Sequence, residues 1–191
     1  MEDCGSPYLA RLIEALPDAL LETHARLGEP TALVEAERVV EVLTLLRDDE
    51  GLGFDVLTDL TAVDYLGRSP RFEVVYHLYS VEKKHRLRIK VGVPVHDPTV
   101  DTVSDVWKVA NWLEREVWDM YGIRFNNHPD MRRILLYEEF RGHPLRKDYP
   151  KHRRWSLYRR PQSEIDEVKE GRPGSGKIPG RGPRNLLENE G

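Results

Sequence analysis

Cysteine is nearly missing from this chain: there is one, Cys4, in 191 residues. A single thiol excludes a disulfide framework. It also excludes a self-contained iron–sulfur cluster, which needs four thiolates, and a cysteine-rich zinc site. Long apolar runs are missing as well. The longest stretch free of Asp, Glu, Lys and Arg runs only from Val74 to Val81, whereas a membrane-spanning helix needs about 20 mostly apolar residues. Met1 to Tyr8 carries two early acids and lacks the basic start and apolar centre of a secretory signal, so an intracellular location is expected. No GxGxxG follows a strand pattern and no GxxxxGK[ST] occurs, so no nucleotide site is indicated. A Ser-centred nucleophile elbow and an HExxH helix are also absent. Cys4 has no evident base nearby and does not read as a nucleophile.

Charge is plentiful but unevenly placed. The formal net charge is −4. Residues 1–150 hold 19 basic and 27 acidic side chains (−8), and residues 151–191 hold 10 and 6 (+4). The most basic window, Met131 to Arg160, sets ten Lys/Arg against Glu138, Glu139 and Asp148. Such a block suits an acidic partner surface or nucleic acid, or simply a solvated linker.

Tyr8 to Arg26 has helical apolar spacing, interrupted at Pro17. Thr31 to Val34 reads as a short strand and Ala36 to Arg47 as a second helix, with Val39, Val42, Leu43 and Leu46 on one stripe. Phe54 to Tyr65 is a strand candidate. Phe72–Ser80 and Arg86–Val93 alternate with period two around the loop Glu82–His85, which predicts an antiparallel hairpin with one face in water. A third helix is predicted from an N-cap at Ser104 to a stop at Gly122. Beyond Gly122 no period is sustained, and 13 of the last 50 residues are Pro or Gly. The expected fold is an α+β domain over residues 1–125, with an antiparallel or mixed sheet and about three helices. A long irregular C-terminal extension, 126–191, follows. Ordering its last 40 or so residues costs on the order of 40–80 kcal/mol of backbone entropy, so the extension is either disordered or laid along another protein.

Three constellations stand out. Glu114, Arg115, Glu116 and Asp119 crowd the end of the third helix, with Arg115 and Asp119 spaced to pair at i,i+4. They read as a surface salt-bridge network, a catalytic carboxylate group or a polar docking knot. His128 and Asp130, with His143, can be drawn as metal donors, but no recognised ligand spacing supports this, and a hydrogen-bonded turn histidine is the simpler reading. Gly142, His143, Pro144, Leu145, Arg146, Lys147, Asp148 and Tyr149 form a basic, Pro-stiffened stretch that reads as an interface strap. Basic residues near Trp155 and Tyr158 also suit a nucleic acid backbone, though the acidic body opposes that.

Glu114 to Pro150 reads EREVWDMYGIRFNNHPDMRRILLYEEFRGHPLRKDYP. This closely resembles the signature of the thirty-kilodalton (C-type) subunit of the proton-pumping NADH:quinone oxidoreductase, respiratory complex I. Leu60 to Tyr65, Arg71 to Ser80 and Trp107 to Leu113 are similar to the same family, so the resemblance covers roughly residues 55–150. The chain departs from the pattern at Asp101-Thr102, at the charged run 136–141 and at Tyr149, where Phe is common. The resemblance implies a non-redox scaffold subunit of the peripheral arm. Its extension would embrace the forty-nine-kilodalton (D-type) protein, which forms the quinone site with the B-type protein. The resemblance implies no catalytic, cofactor or metal site in this chain; FMN, iron–sulfur clusters, NADH and quinone belong to the rest of the complex. Glu114, Arg115, Glu116, Asp119, His128, Asp130, Arg132, Arg133 and residues 142–149 become interface or signature residues. The expected place is the cytoplasmic face of the bacterial membrane, held there through partner subunits, with no nucleic acid bound. An equivalent subunit of a related membrane-bound hydrogenase-type complex is the alternative.

Overall fold

A computed structural model describes residues 6–150. The first helix, α1 (Pro7–Ala15), begins with proline at a position whose N–H would be unpaired anyway, and it ends before Pro17. The helical spacing of Leu20 and Leu21 is misleading. After one 3-10 turn, Leu20–His24 is a strand, β1, antiparallel to β2 (Thr31–Val34). The predicted continuation of the first helix to Arg26 is therefore corrected. Pairing with an available sheet edge and burial of Leu20 and Thr23 outweigh local propensity.

The second helix starts as a 3-10 turn and continues as α2 (Val39–Asp48). Val39, Val42, Leu43 and Leu46 are fully buried on its inner stripe, each contributing about 1.5–3 kcal/mol of apolar burial. The strands β3 (Val56–Asp64), β4 (Phe72–Tyr79) and β5 (Arg86–Val93) form a meander. With β1 and β2 they make a five-stranded sheet in the order β1-β2-β5-β4-β3. Only the β2–β5 pairing is parallel, so the sheet is mixed.

Alternation decides the two faces. Phe72, Val74, Tyr76 and Leu78 of β4, with Leu87, Ile89, Val91 and Val93 of β5, enter one core together with residues of all the helices. The opposite face keeps Glu73, His77, Arg86, Arg88 and Lys90 partly or wholly exposed, with Lys90 bonded to Glu73 at 2.6 Å. The hairpin and its water-facing side match expectation.

A second, two-stranded sheet was not legible in advance: β6 (Thr99–Asp101) runs parallel to β7 (Arg124–Asn126) and brackets α3 (Ala110–Tyr121). The helix does not start at Ser104. Residues 104–109 form turns, because Ser104 is buried and its N–H is donated to the Thr102 hydroxyl at 3.2 Å. These elements belong to one compact unit across the described residues. The predicted extension from 151 onward lies outside the described residues.

Candidate functional site: a strap pinned to the end of a helix

Residues 132–148 have almost no secondary structure, yet many of their polar groups are tied to the domain behind them. The reason lies in α3. Asp119, which the surface-network reading would leave in water, is fully buried on this helix. Its Oδ2 accepts the backbone N–H groups of Ile134 (3.2 Å), Leu135 (2.9 Å) and Leu136 (2.9 Å), and its Oδ1 accepts Arg133 Nη1. Burial alone would push its carboxyl upward. The three N–H groups and the guanidinium outweigh burial and hold it below the ordinary 3.8. The predicted Arg115–Asp119 pair does not form. Buried Arg115 instead donates to the carbonyls of Arg132 and Arg133, both at 3.1 Å, and its guanidinium lies 5.3 Å from the Trp112 ring. Arg133 completes the knot with a bond to the Phe140 carbonyl (2.8 Å), between the rings of Trp118 and Phe140.

The strap also finishes the helix. The last carbonyls of an α-helix have no partner within it and carry its negative dipole end. Here His143 Nδ1 donates to Asp119 O at 3.1 Å, Leu145 N donates to Met120 O at 3.1 Å, and Arg146 Nε donates to Tyr121 O. Gly122 supplies the left-handed turn (φ +74°) and returns its N–H to Trp118 O. A Cβ at this position would sit 2.5 Å from His143 Nε2. Burial lowers both the His143 and Arg146 pKa values.

A third clamp closes on the sheet. Asp64, buried at the end of β3, is held by Arg71 in two bonds of 2.8 Å and accepts Lys147 N at 2.8 Å. Arg71 continues to Asp148 at 3.0 Å. The Arg71 hydrogen bond lowers both carboxyls. Asp64 and Arg71 were missing from the sequence-derived site. A signal existed: Asp64 continues the core-facing series Leu60, Ala62, where a charge needs a partner.

The residues that could be drawn as metal donors do not converge. His128 accepts Asp130 N at Nδ1 (3.1 Å) and bonds Asn111 O through Nε2 (3.1 Å), so it is a hydrogen-bonded turn histidine. His143 serves the helix end instead. Among the described residues no three His, Cys, Asp or Glu side chains cluster as a metal site. Asp130 pairs with Arg132 at the surface (2.9 Å). Glu114 is wholly buried, contrary to the surface-network reading, while Glu116 is exposed as that reading requires. Gly142, Lys147 and Asp148 are exposed, and Pro144 and Tyr149 are partly buried.

This is an α+β domain whose interior charges anchor an irregular strap. Residues 32–154 match the family described as respiratory-chain NADH dehydrogenase, 30 Kd subunit, and the chain belongs to that family. It is 53% identical over 141 residues to the NADH-quinone oxidoreductase C subunit of Geobacter sulfurreducens, covering 73% of this chain and 86% of the relative. The corresponding C subunit of Roseiflexus castenholzii is 51% identical over 142 residues, covering 74% and 82%. Among solved structures, a trypsin-resistant fragment of Nqo5 superposes with a TM-score of 0.57 at 35% identity, covering 64% of this chain and 98% of that one. A chain of an archaeal membrane-bound sulfane sulfur reductase superposes with a TM-score of 0.67 at 25% identity, covering 78% and 86%. Among the described residues no helix is long and apolar enough to cross a membrane.

Proposed function

We propose that this chain is a non-redox scaffold subunit of the peripheral arm of the proton-translocating NADH:quinone oxidoreductase, and that it docks onto and stabilises the quinone-site, forty-nine-kilodalton (D-type) subunit. The observation that carries the reading is the direction of the strap's contacts. Arg133, His143 and Arg146 of the strap bond inward, and Asp119 and Arg115 of α3 hold its backbone. Leu135 and Leu145 of the strap, with Trp112 of α3, remain 61%, 49% and 60% exposed. Fixed backbone presenting apolar side chains is preorganised for a partner, because little entropy remains to be lost on binding. In this reading the B-type and D-type proteins, with other peripheral-arm subunits, are the neighbours. Flavin, iron–sulfur clusters and quinone are held by them and not by this chain, which takes no nucleic acid. The chain reaches the cytoplasmic face of the membrane only through those partners.

The test is affinity purification of the tagged full-length chain from gently solubilised membranes, followed by identification of the co-purifying proteins. Recovery with the B-type and D-type proteins and with NADH:quinone activity is expected. The Arg146→Ala and Asp148→Ala variants should lose recovery before turnover per assembled complex falls. Normal assembly with lost turnover would overturn the scaffold reading. Recovery with a nickel–iron large subunit would move the chain to the related membrane-bound complexes, the second reading that the reductase likeness favours.

A further inference from the structure

Glu114 takes no part in the strap, yet it is as buried as Asp119 and far less well compensated. Its Oε1 accepts Val103 N at 2.7 Å, and its Oε2 lies 2.5 Å from Thr102 Oγ1. The imidazole of His128, itself wholly buried, stands 3.9 Å from Oε2, but its Nε2–H is donated to Asn111 O and its Nδ1 receives Asp130 N. Tyr76 Oη, buried on β4, has no hydrogen-bond partner among the described residues and feels the charges of Glu114 and Asp101.

We propose that Glu114, bonded to Thr102 and Val103 with the His128 imidazole beside it, is a built-in proton-binding site that sets how firmly the β6–β7 pair and the turn after it are held to α3. The chemistry needs only a proton from water. When Glu114 is neutral, its O–H donates to Thr102 Oγ1, and the Thr102 O–H turns to Ser104 Oγ, 3.0 Å away. When Glu114 is ionised, the Thr102 O–H turns back to Oε2, and Ser104 Oγ–H turns to Thr102 Oγ1. One proton thus reverses a three-member hydrogen-bond chain. The chain sits at a junction, because Thr102 N also donates to Asn126 O at 3.0 Å and Asn126 Nδ2 donates to Asp101 Oδ1 at 3.1 Å.

The charged groups facing this site do not offset an ionised carboxylate. Asp101 on β6 carries the same sign and is bonded to Asn126 Nδ2. Arg115 on α3 is turned to the carbonyls of 132 and 133, and Arg47 of α2 reaches only Val106 O while paired with Asp48. Burial therefore raises the Glu114 carboxyl from 4.5 to about 7, against the pull of Thr102 and Val103.

The experiment is carbon-13 NMR of the full-length protein labelled at glutamate side chains, beside urea unfolding of wild type and Glu114→Gln from pH 5 to pH 8. Glutamine reproduces the neutral acid, accepting Val103 N–H and donating to Thr102. One carboxyl signal, missing from Glu114→Gln, should titrate near 7. The folding constant of the variant relative to wild type should rise by about 70-fold across the range. Amide exchange at Val103 and Asp130 should speed up from pH 6 to 8 in wild type only, after correction for intrinsic rates. If the glutamine variant fails to fold, the wild-type spectrum still decides: one glutamate titrating above pH 6 supports the site, and none overturns it. A pH-independent ratio of folding constants overturns it as well.

Discussion

Replacing Asp119 by Asn tests the central knot most directly. Oδ2 of the native residue holds three successive N–H groups and Oδ1 holds Arg133. Asparagine keeps one oxygen for the three N–H groups. Its amide then faces the Arg133 guanidinium, donor against donor, and the arginine loses its counter-charge. Arg133 is only 15% exposed at the side chain. Removing one partner of a buried pair costs about 3–5 kcal/mol. Arg133 retains the Phe140 carbonyl and two aromatic faces, which sets the expectation at about 3 kcal/mol, the lower end of that range. Alanine would add three unanswered N–H groups at about 1–3 kcal/mol each, comparable to the whole stability of a domain, so asparagine is the informative change. Urea unfolding of the full-length protein should show the loss, and hydrogen exchange should show reduced protection at Ile134, Leu135 and Leu136. In a double-mutant cycle with Arg133→Gln, the double variant should cost at least about 1 kcal/mol less than the sum of the singles. Strict additivity, or unchanged protection of the three amides, would refute the knot. Because the Asp119 carboxyl is held below 3.8, its contribution is present above that pH and fades as the pH falls further.

Two further outcomes follow from the geometry. Gly122→Ala places a Cβ at φ +74° and 2.5 Å from His143 Nε2; a loss of about 2–4 kcal/mol in urea unfolding is expected, and one under about 1 kcal/mol would contradict the fit. His85 packs against Tyr8 (3.7 Å between centroids) and Phe54 (4.5 Å), gives Nε2–H to Leu52 O at 2.9 Å, and has its pKa lowered by burial. The unfolded chain therefore takes up the proton first, and stability falls as pH drops through 6.5 toward the folded value. The His85 ring proton shift should titrate below 6.5, and a midpoint at or above it would sink this reading.

Much of the domain was readable because its periods are long. Eight-residue strands and a four-point helical stripe survive any single exception. The three-residue strands β6 and β7 are too short to show a period, and their partners are separated by a helix. The ERE-to-Asp119 cluster was singled out correctly as unusual, but the i,i+4 rule considers only neighbours on the same helix. The true partners of Arg115 and Asp119 lie 14 to 18 residues on, in a segment with no period. Glu114 looked like a surface charge because its compensation comes from an uncharged hydroxyl and a backbone amide. His143 and Arg146 were noted as strap residues. That they serve a helix terminus cannot be read from a one-dimensional string.

The helix end completed by the strap also fixes an order of events during synthesis. The carbonyls of Asp119, Met120 and Tyr121 wait for groups 24 or 25 positions downstream. While a ribosome is still extending the chain through that interval, α3 can form but its terminus stays open. In the scaffold reading proposed above, the surface offered to a neighbour is unfinished until Arg146 has emerged. On that reading, a chain cut between the two points would leave the helix end without its three partners and the strap surface incomplete.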